Sequence, residues 1–177
     1  MIVIPMNKKH CEDDDVAAMV KENLAKLGVE IKMSVAIKKV TDEAGQAVVR
    51  YEEQGNEQGV SADKVLVAAG RHPVTENLGL ENTDIQLTDQ GAIKVDPHLH
   101  TTVSNVWAIG DVKGGPQFTY ISLDDFRIIK DELFGDGTRQ TTNRGVVPTS
   151  VFIEPPLSQV GLTEKQAQAA GKASMIY

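Results

Sequence analysis

The sequence has little of what several common protein classes require. It contains one cysteine, Cys11, so an internal disulfide and a dithiol redox pair are both excluded. No apolar run approaches the roughly 20 residues that span a bilayer, and the first residues lack the basic region and cleavage site of a signal peptide. A formal net charge of −7 argues against a nucleic-acid or anionic-membrane partner. These absences favour a soluble, cytoplasmic protein.

Recognisable catalytic motifs are also scarce. No G-x-G-x-x-G fingerprint occurs, so a complete dinucleotide-binding unit of the usual kind is not expected. Cys11 has no partner thiol and is interpreted as a structural or incidental residue. His98 and His100 lie two residues apart, a spacing that is compatible with two metal ligands. No further Cys, His or carboxylate lies at the spacing expected of additional ligands. We therefore predict no metal site and interpret these histidines as a solvated strand edge.

The apolar pattern predicts an α/β chain. A first helix is expected after an N-cap at Asp13 or Asp14, ending at Gly28. A hairpin is expected across the turn at 42–45, and a strand buried on both faces at 62–69. The remaining predicted strands lie at 2–5, 29–31, 85–87, 93–95, 106–109, 146–153 and 158–162, with a polar turn at 54–59 and another strand beginning at Ser174.

Two further helices follow from the sequence. One is expected to begin between Thr119 and Ser122 and to end before Gly135. Its predicted apolar face consists of Leu123, Phe126, Ile129 and Leu133, widened by Ile128. The other opens with the capping box at 163–166 and ends at Gly171.

The most informative stretch is the predicted strand at 106–109 followed by Gly110 and Asp111. This arrangement places a carboxylate at the carboxyl end of a buried strand, where ligands bind in open α/β sheets. Gly110 would let a ligand approach the backbone closely, and Asp111 would accept hydrogen bonds from its hydroxyl groups. In the alternative interpretation, Asp111 merely caps the next element after a Gly-Asp turn.

Residues 101–112 resemble the second FAD-binding motif of the flavoprotein pyridine nucleotide-disulfide oxidoreductases, a class that includes dihydrolipoamide dehydrogenase and mercuric reductase. Residues 65–73 resemble the segment where the NAD(P) domain of that family returns the chain to the FAD domain. Residues 151–164 resemble the opening of its dimerisation domain, and the three stretches follow the family's order. Residues 114–125 are similar to the branch associated with bacterial resistance to reactive chlorine species.

The resemblance implies partial FAD- and NAD(P)-binding, Rossmann-like domains with a β-meander, plus the start of an α+β dimerisation domain. Residues 1–72 would be the C-terminal part of the NAD(P)-binding domain, 73–144 the returning segment of the FAD-binding domain, and 145–177 the start of the dimerisation domain. In the family, the residue that matches Asp111 binds the ribityl chain of FAD. The candidate cofactor-binding residues are Gly70, Arg71, Gly110, Asp111, Gln117, Phe118 and Thr119.

A helix that begins near Thr119 would point its N-terminal N–H groups at the flavin and stabilise the negative charge of its reduced form. Gln117, Phe118 and Thr119 would then be flavin neighbours. For the aromatic side chains of Phe118 and Tyr120, the interpretation as simple core residues is favoured over contact with the cofactor.

The expected function is that of a fragment of an FAD-dependent NAD(P)H oxidoreductase, with a homodimeric parent. Hydride would pass from NAD(P)H through FAD to a disulfide, a metal ion or another acceptor. No catalytic residue is predicted, because the redox cysteine pair, both Gly-rich fingerprints and the family's C-terminal His-Glu pair are missing from the sequence. One alternative is a non-catalytic, truncated binding or assembly module whose sheet is completed by another chain. Another is an unrelated α/β protein that mimics the motif.

Overall fold

The computed structural model describes residues 2–5 and 13–172. The chain divides into two compact units. Unit 1 combines the residues up to Val67 with those from Pro148 onward, and unit 2 consists of Ala68–Val147. The assignment of 1–72, 73–144 and 145–177 to particular domains of the family stays a prediction. Within the described residues, no helix has both the length and the apolar character needed to cross a bilayer.

The described residues form helices, strands and short 3₁₀ turns. The α-helices are α1 (Asp14–Lys26), α2 (Thr119–Phe134) and α3 (Glu164–Ala169). The strands are β1 (Ile2–Pro5), β2 (Ile31–Glu43), β3 (Gln46–Glu53), β4 (Asn56–Ala62), β5 (Thr149–Val151) and β6 (Leu157–Gln159). The prediction of a mixed helix-and-strand chain with a β-meander is confirmed.

Strands β1 to β4 form one sheet in chain order, with β1 parallel to β2 and the other two pairs antiparallel. The β2–β3 turn places Ala44 at φ 56° and Gly45 at φ 84°. Two successive left-handed residues match the twist of a tight hairpin, so the predicted hairpin is confirmed. Strand β2 begins at Ile31 rather than Val29, and the turn predicted at 54–59 is confined to Gln54 and Gly55, because Asn56 already pairs with Glu53.

The N-terminal helix has the predicted position but an unexpected cap. Asp13 occupies the N-cap of α1, yet its side chain makes no capping hydrogen bond there. Its carboxylate instead accepts hydrogen bonds from the backbone N–H groups of Glu164 (2.8 Å) and Lys165 (3.2 Å), in the first turn of α3. The predicted capping box of α3, formed by Thr163 and Gln166, is also present. Two side chains therefore satisfy the start of a six-residue helix.

Unit 2 contains little regular strand structure. The strands predicted at 85–87 and 93–95 reduce to a single bridge between Leu87 and Ile93. The strand predicted at 106–109 reduces to a bridge between Trp107 and His100. In unit 1, β5 and β6 pair antiparallel but are shorter than the strands predicted at 146–153 and 158–162.

Helix α2 has the predicted bounds but buries a different face. Its buried residues are Ile121, Asp125 and Ile128, whereas Leu123, Phe126 and Leu133 are exposed. The predicted apolar face was therefore wrong at Leu123, Phe126 and Leu133, whereas Ile128 is buried and Ile129 is half-buried. The reason is physical: a charged residue occupies the centre of the buried stripe, and hydropathy alone assigns such a residue to the surface.

The strand predicted at 62–69 was also wrong beyond Ala62. Residues 63–69 belong to no strand, and the side chains of Leu66 and Val67 are 90% and 77% exposed. A buried strand needs neighbours on both edges, and no described strand pairs with this run. Cys11 and the strand predicted from Ser174 lie outside the described residues.

Candidate functional site

The turn that carries Asp111 is a short 3₁₀ helix, Gly110–Lys113, entered from an extended Ile109. Gly110 has φ 70°, a conformation that side chains disfavour, and a Cβ atom there would lie 2.7 Å from the Ser122 Oγ. Glycine is therefore required by the close approach of α2. This differs from the expected reason, approach of a ligand; contact of Gly110 with a ligand stays a prediction.

Asp111 presents a half-exposed carboxylate, 52% accessible, on one side of a cavity of about 550 Å³. Its Oδ2 lies 3.8 Å from Arg71 Nη1, and Arg71 Nη2 donates a hydrogen bond to the Gln117 carbonyl oxygen at 3.2 Å. The residues lining this cavity are Gly70, Arg71, His72, Val74, Asp111, Val112 and Gln117. Four of the predicted cofactor-binding residues therefore line the same cavity, namely Gly70, Arg71, Asp111 and Gln117. The other three, Gly110, Phe118 and Thr119, do not line it.

The alternative role of Asp111 as a cap has no support in the geometry. The N-cap of its own 3₁₀ turn is Ile109, and the N-cap of α2 is Phe118. Neither position carries a side-chain capping hydrogen bond. The carboxylate of Asp111 is therefore oriented toward Arg71 and the cavity rather than used in a helix start.

The amino end of α2 is not compensated by acidic side chains. Its first turn contains no Asp or Glu, and no side chain caps it. The positive end of the helix dipole at Thr119 is thus left available for a negative group. Phe118 and Tyr120 stack on each other, with ring centroids 5.1 Å apart and planes 9° from parallel. Neither is buried, so the expectation that both are core residues was wrong.

Beneath the Asp111 turn lies a cluster of charges that the sequence did not reveal. Asp125 is 0% exposed and contacts Lys113 and Arg144, which are themselves largely buried. Its neighbour Asp124 accepts hydrogen bonds from Arg144 Nε (2.7 Å) and Arg139 Nη2 (2.8 Å). The one sequence signal was the Asp124-Asp125 pair in the middle of the helix, which carries a second acidic pair, Asp131-Glu132, near its end.

The two histidines face carboxylates. His98 Nδ1 lies 3.1 Å from Glu132 Oε2, and His100 Nδ1 lies 3.2 Å from Asp96 Oδ2. Burial acts to raise the pKa of Asp96, but hydrogen bonds from His100 and from the His98 backbone outweigh it and hold that pKa below its ordinary value. In the part of the chain that the structure describes, no group of three or more His, Cys, Asp or Glu could hold a metal ion.

Comparison with known proteins places this geometry in a family. The profile described as pyridine nucleotide-disulphide oxidoreductase matches residues 2–125. The chain is 46% identical over 160 residues to the probable pyridine nucleotide-disulfide oxidoreductase RclA of Escherichia coli K12, covering 90% of this chain and 35% of that protein. It is 36% identical over 160 residues to the dihydrolipoyl dehydrogenase of Bacillus subtilis, covering 90% of this chain and 34% of that protein. The mercuric reductase of Staphylococcus aureus is 33% identical over 159 residues, covering 90% of this chain and 29% of that protein.

A solved structure agrees with these relatives. The Cu(II) complex of the HOCl-induced flavoprotein disulfide reductase RclA from Escherichia coli superposes with a TM-score of 0.84 at 45% identity, covering 91% of this chain and 36% of that one. The chain thus spans about a third of the length of the relatives it matches. The greater identity to an HOCl-induced protein agrees with the predicted branch. The chain belongs to the pyridine nucleotide-disulphide oxidoreductase family.

Proposed function

We propose that this chain is part of an FAD-dependent oxidoreductase in which hydride passes from NAD(P)H through FAD to a disulfide, a metal ion or another acceptor. The observation that carries the proposal is the convergence of Asp111, Arg71 and Gln117 on one cavity. Family membership supports it, because each relative named above is an oxidoreductase.

The chemistry of the cavity fits part of FAD. The ribityl chain is a row of hydroxyl groups, for which the Asp111 carboxylate is a charged acceptor. Arg71 offers guanidinium N–H donors beside it, which suit oxygen acceptors of either the cofactor or the protein. At Gly70, a Cβ atom would meet nothing within 4 Å, so the backbone there is open to a ligand. The volume of about 550 Å³ suits a portion of a dinucleotide.

In this proposal, each of the seven candidate residues contributes to holding the cofactor. Asp111 accepts from the ribityl hydroxyls, while Arg71 and Gln117 border the same space. The amino end of α2 at Thr119, with Phe118 at its N-cap, favours negative charge. Gly70 lines the cavity, and Gly110 begins the turn that carries Asp111. When bound, FAD supplies two-electron transfer between the nicotinamide and the acceptor. Because the chain has one cysteine, we place no thiol relay within it.

We further propose that the protein acts as a cytoplasmic homodimer. The support is the resemblance of residues 151–164 to the opening of the family's dimerisation domain. In the structure, this stretch includes β6 and Thr163, the N-cap of α3.

The test is FAD binding by the purified chain. The wild-type chain is expected to keep a visible flavin band after incubation with FAD and desalting. Asp111→Ala should lose about 1.5–3 kcal/mol of binding free energy, or about tenfold or more in Kd, because a charged acceptor is removed. Asp89→Ala, which removes an exposed carboxylate outside the cavity, should bind as wild type does.

Two results would contradict this proposal. Unchanged FAD affinity in Asp111→Ala would remove Asp111 from the site. A colourless wild-type chain would mean that these residues do not hold FAD by themselves.

A second candidate function, a non-catalytic assembly module, is favoured by one observation. Within the strand predicted at 62–69, residues 65–69 have the composition of a buried strand, yet Leu66 and Val67 are exposed and no described strand pairs with them. Such a run can be completed by a strand of another chain. A monodisperse monomer that unfolds cooperatively, measured by light scattering and denaturant titration, would count against this candidate.

A further inference from the structure

Asp125 is a carboxylate with no solvent exposure in the middle of α2. It lies between Ile121 and Ile128, the other two buried residues of that helix. Burying an ionised carboxylate is costly unless it is paired and hydrogen-bonded, and an apolar residue at such a position is often at least as stabilising. The packing of α2 alone therefore gives no reason for an aspartate at this position.

The hydrogen bonds of Asp125 supply the reason. Its Oδ2 accepts the backbone N–H of Gly110 at 2.8 Å, and this bond is buried. The same oxygen lies 3.4 Å from the Nζ of Lys113. Gly110 and Lys113 are the first and last residues of the 3₁₀ turn that contains Asp111. One carboxylate thus contacts both ends of a four-residue turn.

The second oxygen of Asp125 is held from outside the turn. Its Oδ1 accepts a short hydrogen bond from Arg144 Nη2, and Arg144 also donates to Asp124. Lys113 and Arg144 are 7% and 12% exposed, so the positive charges that compensate Asp125 are themselves shielded from water. Screening by salt is weak for such partly buried pairs, so these contacts keep most of their strength at physiological ionic strength.

We infer that Asp125 is a positioning residue that fixes the Gly110–Lys113 turn and thereby the direction in which Asp111 presents its carboxylate. The consequence for cofactor binding rests on the proposed function. The carboxylate of Asp111 has only the exposed Arg71 as a partner among the described residues, so the backbone of the turn decides where this side chain starts. Small displacements of a charged acceptor weaken a ligand hydrogen bond steeply.

The experiment combines amide hydrogen exchange by NMR with FAD titration of the whole chain. Two N–H groups report on the turn: Gly110, bonded to Asp125, and Gly114, bonded to the Asp111 carbonyl at 3.0 Å. Ala108, which donates to the Leu99 carbonyl, is the reference within the same unit. In Asp125→Ala, Gly110 and Gly114 should exchange about tenfold faster relative to Ala108, and the Kd for FAD should rise about tenfold.

Two further variants separate positioning from simple loss of stability. Asp125→Asn keeps an oxygen that can accept from Gly110, so its Gly110 exchange should return close to wild type and its FAD affinity should lie between those of wild type and Asp125→Ala. Asp124→Asn weakens the neighbouring contacts with Arg139 and Arg144 but leaves the turn alone, so both readouts should stay at wild-type values.

The outcomes are decisive in each case. Exchange at Gly110 and Gly114 that rises only in step with Ala108 would overturn the inference. If Asp125→Ala does not fold, Lys113→Met is measured instead, because it removes only the contact between Asp125 and the last residue of the turn. Faster exchange of the Gly114 N–H in this variant supports the inference, and unchanged exchange overturns it. If the wild-type chain binds no FAD, the proposed function fails for this chain, while the exchange rates still decide whether Asp125 positions the turn.

Discussion

The meander of unit 1 and the loops of unit 2 are held together by different kinds of hydrogen bond. In the meander, β2, β3 and β4 pair along most of their length, and the core is formed by Val35, Val48, Val49 and Tyr51. In unit 2, isolated bridges replace strands, and side chains bind the backbone directly. Thr102, for example, accepts from the Gln86 N–H and donates to the Asp84 carbonyl. The candidate site lies entirely within unit 2.

This difference shows where a binding site can form. A regular ladder uses its own N–H and C=O groups and leaves few free to face a ligand. An irregular unit must hold each loop by specific side chains, but it can bring residues such as Arg71, Asp111 and Gln117 to one cavity. As a consequence, the structure of unit 2 depends on a few buried side chains, which include Asp125 and Ile128.

The largest expected effect is the loss of a core side chain in unit 2. Ile128 is 1% exposed, so Ile128→Ala should lower the free energy of unfolding by about 2–5 kcal/mol. Val49→Ala in the meander removes fewer methyl groups and should cost less. Denaturant unfolding followed by the fluorescence of Trp107, the one tryptophan in the sequence, measures the change in unit 2.

The matched control for this prediction is Phe126→Ala on the same helix. Because Phe126 is 52% exposed, the variant should stay within about 0.5 kcal/mol of wild type. A loss in Phe126→Ala as large as that in Ile128→Ala would mean that α2 buries the face predicted from hydropathy.

An intermediate effect is expected from comparing glycines of the two regions. Gly45 in the β2–β3 turn and Gly110 both have positive φ, so alanine at either position should cost about 1–2 kcal/mol in backbone strain. Alanine at Gly110 also clashes with Ser122, which should add about 1–3 kcal/mol, whereas a Cβ at Gly45 meets nothing within 4 Å. Adding Ser122→Ala to Gly110→Ala should restore only the part of the unfolding free energy that was lost to the steric clash, and not the part lost to backbone strain. Equal losses at the two glycines, measured by denaturant unfolding, would contradict the close approach of α2.

The smallest effect concerns an exposed ion pair of the meander. A hydrogen bond from Thr41, and after it one from Arg50, lowers the pKa of Glu43. The contribution of Glu43 to the free energy of unfolding is complete above the ordinary pKa of a glutamate. It is lost as the pH falls through the lowered pKa of Glu43 in the folded protein. Thr41→Ala should raise the pKa of Glu43 because it removes the strongest single hydrogen bond, and Arg50→Ala should raise it because it removes a hydrogen bond together with a charge attraction. NMR titration of the Glu43 carboxyl measures both rises, and an unchanged pKa in either variant would contradict the contact that the variant removes.

Local patterns predicted the meander and the ends of the helices. The turn at 42–45 fixed the β2–β3 hairpin, and the capping box fixed the start of α3. These signals involve neighbouring residues and need no knowledge of the rest of the fold. The buried face of α2 could not be predicted in the same way, because Asp125 is stabilised there by Lys113 and by Arg144, which lies nineteen residues further along the chain.

The candidate site was predictable in part for the same reason. The Gly110-Asp111 pair and Arg71 were recognisable as motif residues, and the structure brings Arg71 and Asp111 together. The role of Asp125 was not recognisable, because nothing in its neighbourhood along the chain shows that its partner is the Gly110 N–H. The strand predicted at 62–69 failed because burial depends on neighbouring strands, which the composition of a single run cannot supply.

The contact between Asp13 and the start of α3 has a consequence for the order of events on the ribosome. The Asp13 carboxylate and the Glu164 N–H that it binds are separated by 151 residues. At a synthesis rate of about 5–20 residues per second, α1 leaves the ribosome about 8–30 s before its partner. Residues 31–62 and all of unit 2 are translated in that interval. The contact can therefore close only after all of unit 2 has been made, so α1 is translated long before the residues of α3 that its N-cap binds.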